Sequence, residues 1–104
     1  MASGQWRKIA ITGRRMNAKG THIEQVEYRD VGENVSAAKY CDRKAMIKFI
    51  DENGDEAAAT AYKNDAGRWA AGADVFVIQM KTDRFLKTDR DGTERDNLDK
   101  LPTF

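Results

Sequence analysis

LKTDRDGTERDNLDKLP, Leu86 to Pro102, is the stretch on whose reading the fold turns. Acidic and basic residues interleave up to the chain's single proline. Two physical readings compete: a loop of oxygen ligands around a cation, or a segment drawn inward by its leucines. A helix-loop-helix calcium site needs oxygen ligands at positions 1, 3 and 5, glycine at 6 and glutamate at 12. With Gly92 at the sixth position, Lys87 falls first and Leu98 twelfth. With Asp89 first, Glu94 falls sixth and Lys100 twelfth. Both registers fail, and Arg90 and Arg95 would repel a cation. The other acidic stretch, DENGDE at Asp51–Glu56, has Glu56 where glycine is required. The inward reading uses more of the residues. Asp89 and Gly92 suit the first and fourth positions of a type I turn. Thr93 to Asp96 fits a capping pattern for one short helical turn. Leu98 and Leu101 then share a side, and Pro102 stops the turn. Burying both leucines is worth about 3–6 kcal/mol gross, against a net stability of about 5–15 kcal/mol for a small domain. The tail is expected to act as a latch.

Upstream of the tail, Asp74–Lys81 (DVFVIQMK) is rich in β-branched residues and reads as a strand. Val75, Val77 and Gln79 face one way and Phe76, Ile78 and Met80 the other, so both faces are apolar and the strand is expected inside the sheet. Thr82-Asp83 allows a reversal into a short strand, Arg84–Thr88 (RFLKT). Ala58–Tyr62 reads as an alanine-rich strand, and either it or the N-terminal strand is a candidate sheet edge to which a partner strand can add. Before it, Asp42 can cap a helix whose apolar stripe is Ala45, Met46, Ile47, Phe49 and Ile50. Asn53-Gly54 can end that helix in the left-handed conformation. Ser36 offers an alternative, earlier cap. Arg29–Cys41 is weakly patterned. At the start, Trp6–Thr12 and His22–Tyr28 read as paired strands joined by a long loop, Gly13 to Gly20. The elements run β-β-α-β-β-β. That order implies an α+β fold: an antiparallel sheet of four to five strands with one helix packed on one face.

The chain's 104 residues suit one domain. Its longest apolar run, Val75–Ile78, is far short of the roughly 20 residues a spanning helix needs. The N-terminus MASGQWRK lacks an apolar signal region, and the single cysteine, Cys41, cannot form an internal disulfide. Both features point to a cytoplasmic protein. Net charge is +1, unevenly spread: Arg7, Lys8, Arg14, Arg15 and Lys19 precede the first acid, Glu24. A basic segment of this kind can attract phosphate.

Catalytic and metal chemistry need clusters this chain lacks. Zinc takes three or four Cys or His ligands, and only Cys41 and His22 are present. Cys41 is expected in or beside the core as a small apolar residue. No phosphate-cradling glycine loop or nucleophile elbow occurs. With 17 acids, carboxylate pairs carry no information. Single strands of nucleic acid are held by aromatic platforms in basic grooves. Trp6 beside Arg7 and Lys8, with Tyr28 across from it, offers such an arrangement. Trp69 is expected either as a core anchor or as an exposed contact.

The closing run and KIAITGRRM near the start resemble a family of small, mostly bacterial domains of unknown function. Members open with I-T-x-x-R, matched by Ile11, Thr12 and Arg15. They close with Y-L-x-T-x-x-D-G-x-x-x-D-N-L-x-x-L-P. That pattern is matched by Phe85, Leu86, Thr88, Asp91, Gly92, Asp96, Asn97, Leu98, Leu101 and Pro102. A second histidine of the family stands two residues before His22, where this chain has Gly20, which counts against a shared metal or acid–base site. The aromatic that ends the second strand, often Trp, is Tyr28. The resemblance supports the fold and implies no activity.

The expectation is therefore a non-catalytic interaction module without cofactor or metal, binding a protein partner. The alternative is weak electrostatic binding of nucleic acid through the basic N-terminal strand and loop. No membrane and no small-molecule substrate is indicated. The candidate binding surface is Arg14, Arg15, Lys19 and His22. Stability is expected to rest on Phe49, Ile50, Val77, Leu98 and Leu101.

Overall fold

Asp42 caps the helix as its side chain allows, accepting the backbone N–H of Ala45 at 2.8 Å from an extended conformation. In the computed structural model, which describes residues 5–20, 22–54, 56–79, 83–88, 98 and 101–104, this helix is α1, Arg43–Asn53. Gly54, at φ 82°, closes it by donating its N–H to Ile50. Met46, Ile47 and Ile50 point inward. No helix among the described residues is long and apolar enough to cross a membrane.

Six strands surround it in sequence: β1 Ile9–Met16, β2 Ile23–Asp30 and β3 Lys39–Asp42 before α1, then β4 Ala58–Lys63, β5 Trp69–Gln79 and β6 Arg84–Lys87. They form one sheet in the order β3-β2-β1-β4-β5-β6. The α+β reading holds with one helix, but the sheet is mixed and six-stranded rather than antiparallel with four or five. β1 and β4 run parallel, Ile9 beside Ala58 and Ile11 beside Thr60, and every other pairing is antiparallel. Parallel neighbours need a long crossover, and β2, β3 and α1 supply it. The extra strand is β3, only four residues in the weakly patterned region, held by its pairing with Gln25–Tyr28 of β2.

That topology moves the expected edges. Neither the N-terminal strand nor β4 is an edge: both lie inside the sheet, and the outer strands are β3 and β6. β4's alanines hid this, because small side chains give a weak apolar signal while fitting a crowded site. Ala57 to Thr60 and Ala61 are buried. β5 is internal, as its two apolar faces imply. It begins earlier than expected, at Trp69, and bends where Thr60 opposes Gly72 and Ala73. There Thr60 Oγ1 accepts the N–H of Ala73 at 3.0 Å. A Cβ on Gly72 would stand 2.4 Å from that oxygen.

The core lies between α1 and the sheet: Ile9, Ile11, Ile23, Val26, Val75 and Leu86, with Phe49 and Val77 packed against it. Leu98 and Leu101 belong to the same cluster, 0% and 6% exposed, so the latch closes as expected. The turn and short helix expected over Asp89–Asn97 lie outside the described residues. Beyond Ile11, β1 has no β4 beside it. Pro102 to Phe104 take that place: Arg14 N–H donates to Pro102 O at 2.9 Å, and Phe104 N–H donates to Arg14 O at 3.0 Å. Thr103 thereby bridges Arg14 in parallel.

Candidate binding surfaces

β1 continues through Met16, so Arg14 and Arg15 are strand residues rather than members of a long loop. A bulge between Ile11 and Gly13 sets Arg14 opposite Val26 and Arg15 opposite Gln25. Successive residues of a strand face opposite sides, and these two arginines part accordingly. Arg14 is half-buried, with an Nε that finds no hydrogen-bond partner. Arg15 is exposed. Lys19 is exposed in the tight turn where Gly20 N–H donates to Asn17 O. His22 is half-buried and stacks on Phe85, centroids 5.4 Å apart. The Arg43 guanidinium lies 5.6 Å from the same Phe85 ring. The four residues thus occupy separate surroundings, with Arg14 and Arg15 both tied to the tail.

Around Arg15 a surface cluster forms that sequence reasoning missed. Arg15 Nε donates to Phe104 O at 3.3 Å, and its guanidinium lies 5.5 Å from the Phe104 ring centroid. The ring meets Tyr40 edge-on at 5.3 Å. Tyr40 OH donates to Glu27 Oε1 at 3.2 Å, while Glu27 Oε2 accepts from Thr12 Oγ1 at 2.7 Å. Gly13 opens the space: a Cβ there would lie 3.2 Å from Glu27 Cβ and 3.4 Å from the Phe104 ring. Tyr40 is 57% exposed and Phe104 41%. Tyr40 sits in the weakly patterned region and Phe104 beyond the proline, so no periodicity flags either. Only the register of β3 and the return of the tail bring them together.

A second surface is a cleft of about 460 Å³ between the segment before β1, the loop after β2 and the turn joining β4 to β5. Trp6, Val31, Val35, Lys63, Arg68 and Trp69 line it, with Glu33 and Asn34. Trp6 does not face Tyr28, which pairs with Ile11. It lies in the segment before β1 and lines the same cleft as Trp69. Arg7 anchors that segment through two 2.9 Å bonds to the Asp74 carboxylate. The pairing holds the Arg7 pKa up and the Asp74 pKa down. Lys8 is engaged by Asn53 at 2.9 Å. Trp69 is half-buried; the Arg29 guanidinium lies 4.7 Å and Lys63 Nζ 5.3 Å from its ring centroid.

Elsewhere the chemistry is muted. Cys41 packs beside the core as expected, and burial pushes its thiol up to about 11, away from the thiolate that reacts. Asp83 is held below the usual carboxylate range by the Arg84 backbone N–H, with Arg43 and His22 nearby. Arg84 pairs with Asp51 across α1 and β6. Among the described residues, no three His, Cys, Asp or Glu side chains gather as a metal site.

Compared with known proteins, residues 9–102 match the family model DUF3892, described as "Protein of unknown function". No curated protein and no solved structure gives a match.

Proposed function

We propose, for a chain that belongs to the DUF3892 family of proteins of unknown function, a non-catalytic role in binding another protein along the outer side of β3. The observation that carries this reading is the Arg15–Phe104–Tyr40 cluster beside an edge strand. An extended partner segment can add to such an edge, with main-chain bonds giving affinity and side-chain pockets giving specificity. Tyrosine and arginine dominate binding energy at protein interfaces, because large semi-rigid side chains bury much area at little entropic cost. Here Tyr40 and Phe104 offer that area already packed on each other, and Arg15 adds a charge for a partner carboxylate. The strand is short, so the side chains rather than a long ladder must supply most of the affinity. A cytoplasmic setting suits a half-buried free thiol. The non-catalytic part is supported by the unreactive environment of Cys41 and the stacking of His22 on Phe85.

Photo-crosslinking tests this reading. A photoreactive phenylalanine replacing Tyr40, expressed in the source cell, is expected to give a discrete protein adduct. That adduct should fade when Phe104→Ala and Arg15→Ala are combined with it. A yield no greater than from the same group at Lys48, on the outer face of α1, overturns the proposal.

A further inference from the structure

We infer that the Trp6–Trp69 cleft is a nucleotide site, taking one base against tryptophan and its phosphate beside Lys63 and Arg68. This surface is distinct from the β3 edge and from the basic strand. No sequence motif announces it, because its walls come from three separated segments.

Three observations carry the inference. The first is composition: two tryptophans and two valines share the lining with Lys63 and Arg68. Neither cation forms an ion pair with a described residue; Lys63 leans on the Trp69 ring, which leaves its charge unneutralised by an acid and beside the aromatic wall. Glu33 is the one acid among the described residues of the lining, which leaves a net positive wall and an acceptor for a base amino group. The second is rigidity. The Val31–Val35 loop is closed by a β-bridge and tied down by Val31 N–H to Lys8 O at 3.2 Å and Ser36 N–H to Asp30 O at 3.0 Å. In the facing turn, the Asn64 side chain accepts from Ala66 and Arg68 N–H at 3.0 and 3.1 Å. Gly67 adopts φ 74° there, a conformation that glycine alone takes without strain. The Arg7–Asp74 pair fixes the residue after Trp6. Walls ordered in advance lose little entropy on binding. The third is size: about 460 Å³ lies in the usual range of small-ligand sites and suits a flat ring with one phosphate. Aromatic stacking with cations alongside is how nucleotide units are held without sequence readout. The unit can belong to a free mononucleotide or to a single strand.

Nitrogen-15-labelled protein shows one indole N–H signal per tryptophan, and Trp6→Phe assigns them. Adding adenosine monophosphate is expected to shift both signals saturably. Inorganic phosphate should leave the Trp6 signal in place. Trp6→Ala, read at Trp69, should weaken binding about tenfold. The pair Lys63→Glu and Arg68→Glu should abolish it while the rest of the spectrum keeps its dispersion. A short oligodeoxyadenylate that binds more tightly, with a steeper loss in salt, identifies a strand as the source; equal affinity per site identifies the mononucleotide. Unshifted indole signals with both adenylates overturn the inference. So do equal shifts with polyglutamate, which would mean that the cleft reads charge alone, or binding that survives the charge reversals. All of these readouts are separate from crosslinking at Tyr40.

Discussion

Leu98 stands alone between Asn97 and Asp99 in the sequence, yet it is fully buried in the cluster that joins α1 to the sheet. Its methyl groups are wholly removed from water within that cluster. Truncation therefore loses both transfer free energy and packing. Leu98→Ala is expected to cost about 2–5 kcal/mol, read from urea unfolding, with Leu98→Met restoring most of it. The same substitution at Leu101, slightly more exposed, should cost less. Gly13 works in the opposite sense, by absence: the room left without a side chain is where the Phe104 ring and Glu27 approach β1.

Among the elements, α1 is the one most plainly written in the sequence, because its cap, stripe and terminating glycine are all local signals. Asp42→Ala removes the acceptor for Ala45 N–H and should lower stability by about 1 kcal/mol, with Asp42→Asn nearly neutral; chemical denaturation distinguishes the two. Strands announced by β-branched residues, β5 above all, were legible in the same way. The rest depended on partners far along the chain. Nothing in KYCD marks a strand until Gln25–Tyr28 lies beside it. Nothing in an alanine run tells an edge from a centre, so β4 read as peripheral. Parallel pairing of β1 with β4 leaves no periodic trace at all. The site fared likewise. Arg15 is visible in the sequence through its charge, but Tyr40 and Phe104 become its neighbours only through strand register and the return of the tail. The tryptophan cleft needed three loops to converge.

At the scale of the whole molecule, acid should weaken the fold through specific carboxylates. Asp74, bonded to Arg7, and Asp83, bonded to the Arg84 N–H, both ionise more readily when folded. The unfolded chain therefore binds more protons in acid. Their contribution is complete above the ordinary aspartate value of 3.8 and fades as pH falls through the lowered folded values. Asp74→Asn should thus be less stable than the parent at neutral pH, with the gap closing below about pH 4; urea midpoints measured across that range check it. One further consequence follows from the tail lying where β4 leaves off. Arg15 and Phe104 are 89 positions apart, so during synthesis the ribosome delivers β1 long before the residues that will flank its second half. Until they emerge, the nascent chain carries a strand with one flank bare, a natural place for a chaperone to hold and for a prematurely stopped product to stick to its neighbours.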